Sequence, residues 1–120
     1  MLEHKHIIIR AEVEEPPSDV ILTAQWFKDL VKTIDMKILM GPYVTYLDKE
    51  GNRGLTGICV IETSHMAMHV WDESNPGLIE LDVYSCKSFN PQIVLDALQQ
   101  FKPVKVEHIL LDRKETIELL

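Results

Sequence analysis

The stretch from Leu55 to Ser85 constrains the fold more than any other part of the chain. Leu55 to Thr63 is apolar on both of its faces, which reads as a central strand. His65 to Trp71 alternates as a second strand, with Met66 and Met68 on the side opposite the histidines. Asp72-Glu73-Ser74-Asn75-Pro76-Gly77 is a turn. Leu78 to Ser85 alternates again, with Ile79, Leu81 and Val83 on one face and Glu80, Asp82, Tyr84 and Cys86 on the other. Strands joined only by short turns pair antiparallel, because a parallel pair needs a crossover of about a dozen residues or more.

The flanks add helices. A strand is expected at about 4–13, centred on Ile7, Ile8 and Ile9. Pro16-Pro17-Ser18-Asp19 ends it and offers a helix N-cap. Val20, Ala24, Phe27, Val31 and Ile34 then follow helical spacing, predicting a helix over about 19–34. A strand follows at about 36–47, then the turn-rich loop Asp48 to Gly54. Asn90 and Pro91 open a second helix as N-cap and first helical residue, with Val94, Ala97, Leu98 and Phe101 as its apolar stripe. Val104 to Leu111 is a last strand. The order β-α-β-β-β-β-α-β predicts a two-layer α+β sandwich, an antiparallel sheet with two helices on one face. Residues 1–120 form a single domain. The second sheet face, where Trp71 and Tyr84 fall, then needs cover from a dimer partner or a ligand.

Charge narrows the function. The net charge is −7, with 12 basic residues in no run. That argues against nucleic acid or an anionic membrane as partner and mildly favours a cationic ligand. Cys59 and Cys86 form no CxxC pair, consistent with a reduced, cytoplasmic setting. No stretch approaches the ~20 apolar residues that span a bilayer, and the N-terminus lacks a basic segment followed by a long apolar run.

The chemistry-bearing residues lie between Thr56 and Cys86: Ser64-His65, His69, Trp71, Glu73 and Asp82-Val83-Tyr84-Ser85-Cys86. Taken together they resemble the short prokaryotic class of S-adenosylmethionine decarboxylases, closely over about 55–86 and loosely elsewhere. The resemblance implies a proenzyme that cuts itself between Thr63 and Ser64. Ser64 attacks the Thr63 carbonyl, and elimination followed by hydrolysis leaves a pyruvoyl group, derived from Ser64, capping residues 65–120, with His69 and Thr56 assisting. The pyruvoyl ketone forms a Schiff base with the substrate amine and accepts electrons as carbon dioxide leaves. Cys86 protonates the product carbon, Trp71 stacks on the adenine or sulfonium, and Glu73 holds the ribose hydroxyls. The product is the aminopropyl donor for spermidine, and a homodimer is expected.

The chain departs from the family pattern in three places. Thr63 stands where the family has Glu before the cleaved serine. The 49–53 loop carries no aromatic, leaving Tyr46 as the nearest base-stacking candidate. The turn between His69 and Cys86 is about two residues longer than usual. Two other readings therefore stand: a decarboxylase of another amino acid such as arginine or ornithine, and an uncleaved non-enzymatic relative that binds S-adenosylmethionine or a polyamine. Simpler roles are also open. Cys59, Met66 and Met68 suit the core, Cys86 could be a small buried group, Trp71 could fill an interface, and Glu73 could be a solvated turn residue. His65 reads as a structural histidine. His65 and His69 lie ~13 Å apart along a strand, with no third ligand evident, so no metal is expected. His4 and His6 receive no assignment.

Overall fold

The computed structural model describes residues 2–120. Its strands are β1 (Lys5–Val13), β2 (Ile38–Leu47), β3 (Gly54–Ile61), β4 (Ser64–Trp71), β5 (Gly77–Ser85), β6 (Pro103–Asp112) and β7 (Glu118–Leu119), with helices α1 (Val20–Thr33) and α2 (Pro91–Asp96). They form one seven-stranded antiparallel sheet in the order β2-β3-β4-β5-β1-β6-β7. The expected α+β sandwich is what the chain forms.

Alternation builds its layers. Ile7, Ile9, Ala11 and Val13 of β1, Met66, Met68 and Val70 of β4, and Ile79, Leu81 and Val83 of β5 point to the helix side and are buried. Phe27, Leu30 and Val31 of α1 and Val94 of α2 meet them there, with Leu98 and Phe101 from the turn that follows. Asp19 caps α1 by accepting the Leu22 N–H, and Asn90 caps α2 by accepting the Gln92 N–H. Trp26 Nε1 donates to the Ala97 carbonyl at 2.9 Å, tying the two helical segments together.

The apolar Leu55–Thr63 run forms β3, an interior strand paired on both sides as expected, and β5 takes the middle of the sheet. β1 inserts between β5 and β6 by a pairing across the whole chain, which leaves β3 beside the edge strand β2. Two expectations need correction. β3 ends at Ile61, because Glu62 and Thr63 form the two-residue turn of the β3–β4 hairpin. The second helix is only one and a half turns long and continues as a 3-10 turn, Gln99–Phe101; β7 was not foreseen. Gly54 marks where β3 crowds its neighbour: a Cβ there would lie 1.7 Å from the Val70 carbonyl oxygen.

The face away from the helices is open. It carries half-exposed Ile8, Ile58 and Ile109 among polar groups. A shallow groove of about 380 Å³ crosses it, lined by Arg10, His69, Glu80, Asp82, Glu107 and His108 among others.

Candidate active site

The Thr63–Ser64 peptide sits at the tip of the β3–β4 hairpin. Two-residue hairpin loops usually place positive φ on their own Asn or Gly. Here the positive φ falls on Ser64 itself, at 142°. A serine held in that region costs roughly 1–3 kcal/mol and persists only where its surroundings impose it. Those surroundings are visible. The Thr63 carbonyl accepts the Cys86 N–H at 2.8 Å, and the Glu62 N–H donates to the Lys37 carbonyl at 2.9 Å. Ser64 stands opposite Ser85 in the β4–β5 register, so Cys86 follows immediately beside it. The Cys86 thiol is half-buried and free.

His69 and Thr56 form a second cluster at the other end of β4. They are cross-strand partners, and Thr56 Oγ1 lies 3.3 Å from His69 Nδ1. The Trp71 ring is 6.2 Å from that of His69, centroid to centroid. These side chains border a small cleft of about 110 Å³ with Asn52 and Leu47. Five residues of strand separate Ser64 from His69, which is about 16 Å. Within one protomer the structure therefore brings Ser64 to Cys86 and Thr56 to His69 and Trp71, but does not bring the two pairs together.

Two expected substrate residues are placed elsewhere. Tyr46 packs against the core and donates its hydroxyl to the Asp72 carboxylate at 3.0 Å; that bond raises the phenol's pKa. The alternation of β2 thus directs it away from Trp71. The Glu73 carboxylate accepts the backbone N–H groups of Gly51 and Arg53 at 3.1 Å each and the Arg53 guanidinium at 3.1 Å. It pins the 48–53 loop down, and Trp71 Nε1 donates to Asn52 Oδ1 in that same loop at 2.8 Å.

The Arg53 and Gly51 N–H groups hold Glu73 below the usual carboxylate range. A depressed carboxylate stabilises the folded form above its unfolded pKa, and that contribution is lost as pH falls through the folded value. Gly51 and Arg53 amide resonances should therefore stay fixed on acidification past the ordinary Glu value of about 4.3 and move only below it. Movement centred on the ordinary value would contradict the clamp.

One cluster escaped sequence reasoning. His4 Nδ1 lies 2.9 Å from the Tyr84 hydroxyl, His6 Nε2 lies 3.1 Å from Asp82, and Arg113 stacks 4.1 Å above the Tyr84 ring. His65 packs against the same ring. The alternation of His4, His6 and Ile8 was visible, but their partners lie more than 70 residues away along the chain. Among the described residues no group of three or more His, Cys, Asp or Glu could hold a metal ion, and no helix is long and apolar enough to cross a membrane.

A serine at positive φ whose preceding carbonyl accepts the Cys86 N–H, with an imidazole–hydroxyl pair on the same hairpin, is an arrangement suited to an enzyme. Comparison with known proteins places it. The family model described as S-adenosylmethionine decarboxylase matches residues 9–114. An S-adenosylmethionine decarboxylase proenzyme of Archaeoglobus fulgidus is 28% identical over 115 residues, covering 94% of this chain and 99% of the relative. One from Clostridium botulinum is 29% identical over 90 residues, 72% of each chain. The crystal structure of the adenosylmethionine decarboxylase from Aquifex aeolicus superposes with a TM-score of 0.66 at 20% identity, over 91% of this chain and 88% of that one, a likeness of fold. The chain belongs to the S-adenosylmethionine decarboxylase family. The activity that membership supports is decarboxylation of S-adenosylmethionine.

Proposed function

We propose that the chain cuts itself between Thr63 and Ser64 and then, as a cytoplasmic homodimer, decarboxylates S-adenosylmethionine to supply the aminopropyl donor for spermidine synthesis. The observation that carries this reading is the Thr63 carbonyl resting on the Cys86 N–H while Ser64 is held at φ 142°. A donor aimed at that oxygen stabilises the negative charge that develops when Ser64 Oγ attacks the carbonyl carbon. The attack closes a five-membered ring within Ser64's own backbone and ends with the acyl group on Oγ. Removal of the Ser64 Cα proton then expels the Thr63 carboxylate and breaks the chain.

These residues suit a pyruvoyl group at position 64. When formed, its carbonyl supplies an electron sink for the loss of carbon dioxide. Cys86, whose N–H holds the Thr63 carbonyl, would be the donor of a proton to the carbon that has lost its carboxylate. Trp71, half-buried at the edge of the small cleft, offers an indole face for a sulfonium or adenine. Glu73 would reach a ribose only by giving up Gly51 and Arg53, so its first role is to order the loop beside Trp71.

The separation of about 16 Å between Ser64 and His69 favours a site shared across a dimer, with Thr56 and His69 of one protomer serving Ser64 of the other. The open sheet face, with Ile8, Ile58 and Ile109 exposed, is the surface that such a dimer would cover.

Carbon dioxide release from carboxyl-labelled substrates tests the specificity. Release from S-adenosylmethionine should exceed release from arginine or ornithine by a hundredfold or more, on the order of 3 kcal/mol of discrimination. Preferential release from arginine or ornithine would move the chain to another substrate. Binding without release would identify a non-enzymatic relative.

A further inference from the structure

We propose that Ser85, together with Thr63 and Met36, forms a positioning device for the self-cleavage step. This rests on the reading of Ser64 as the cleaved residue. Ser85 is fully buried. Its Oγ accepts the Lys87 N–H at 3.0 Å and donates to Thr63 Oγ1 at 3.0 Å. Thr63 Oγ1 in turn donates to Met36 Sδ at 2.7 Å. Each hydroxyl has one proton, and the relay Ser85 → Thr63 → Met36 uses both.

The relay matters because of where it ends. Thr63 supplies the acyl half of the peptide to be broken. Its carbonyl is held by the Cys86 N–H and its side chain by Ser85 and Met36, so the residue is fixed at three points around one Cα. Ser85 and Cys86 are consecutive, so β5 fixes both the oxygen and the side chain of Thr63. Position 63 therefore takes a small β-branched hydroxyl that fits beneath the hairpin rather than a long acid that would reach outward. In the step itself Ser64 Oγ bonds to the Thr63 carbonyl carbon and the Thr63–Ser64 C–N bond breaks. The hydroxyl proton finishes on the Ser64 nitrogen. Ser85 exchanges no proton in this step; it keeps the carbonyl on its donor while Oγ approaches.

The test follows cutting over time in chains made by cell-free synthesis, with hydroxylamine added to parallel samples to cleave ester but not amide. Ser85→Ala should slow cutting roughly tenfold to a hundredfold and reduce the fraction that hydroxylamine cleaves early, while Ser85→Thr restores both. Thr63→Val, which keeps the shape and removes the hydroxyl, should be slow, and Thr63→Ser fast. A merely structural role for Ser85 would lower the melting temperature without changing the hydroxylamine-sensitive fraction. Cutting of Thr63→Val or folded Ser85→Ala at the wild-type rate overturns the proposal while leaving self-cleavage intact. A wild-type chain that stays whole overturns both.

Discussion

Mixed dimers that pair a Ser64→Ala chain with a His69→Ala chain should be active although neither variant is active alone. If each site takes Ser64 from one protomer and His69 from the other, a mixed dimer has one site with both residues intact and one with neither. Dimers isolated through two different tags should then show about half the wild-type activity, as expected for two equivalent sites related by a two-fold axis. The His69→Ala chain within them should be cut, because its own Ser64 meets an intact His69 of the partner subunit. If mixed dimers are as inactive as their parents, Ser64 and His69 act within one protomer and β4 must bend far from the geometry described. The effect is all-or-none because the strand offers no intermediate: five residues in extended form cannot bring both side chains to one substrate.

Phe27→Ala should cost about 3–5 kcal/mol, a large part of the 5–15 kcal/mol that holds a typical domain folded. Phe27 is fully buried and meets Trp26 edge-to-face with centroids 5.3 Å apart. It also fills the space left by Gly57, where a Cβ would lie 2.5 Å from Phe27 Cε2. Gly57 is next to Thr56, so this contact seats α1 under the strand that carries part of the site. The loss should be read from urea midpoints in the uncleavable Ser64→Ala background at fixed protein concentration, since subunit association also contributes to stability. A loss under about 1 kcal/mol would mean that α1 is not anchored there.

Local pattern made much of this architecture legible. The alternation in 65–71 and 78–85 placed Met66, Met68, Ile79, Leu81 and Val83 on the helix side, where they are buried. Asp19 and Asn90 were readable as caps because a cap needs only the next three residues. Register between distant segments was not legible. Nothing near residues 5–13 says that they run between β5 and β6, so the neighbours of His4 and His6 could not be named, nor could the central place of β5.

The same distinction holds within the site. Ser64, His69 and Cys86 stood out only through their resemblance to the family's motif. The functions of Ser85 and Thr63 depend on a hydroxyl–thioether contact with Met36, 27 residues before Thr63, which no motif records. Glu73 shows the converse. Its position matched the family pattern, but the loop it faces carries Arg53 and free N–H groups that take up its carboxylate.

Intact mass of the purified protein under denaturing conditions, beside Ser64→Ala, tests the central claim most directly. Self-cleavage predicts two species, residues 1–63 and residues 64–120 with a pyruvoyl group in place of the serine amine. Ser64→Ala should give a single species of 13.8 kDa within the mass change of one oxygen. A single uncut species from the wild-type chain, differing from Ser64→Ala by that oxygen alone, would contradict the pyruvoyl mechanism and leave a family member that binds without cutting itself.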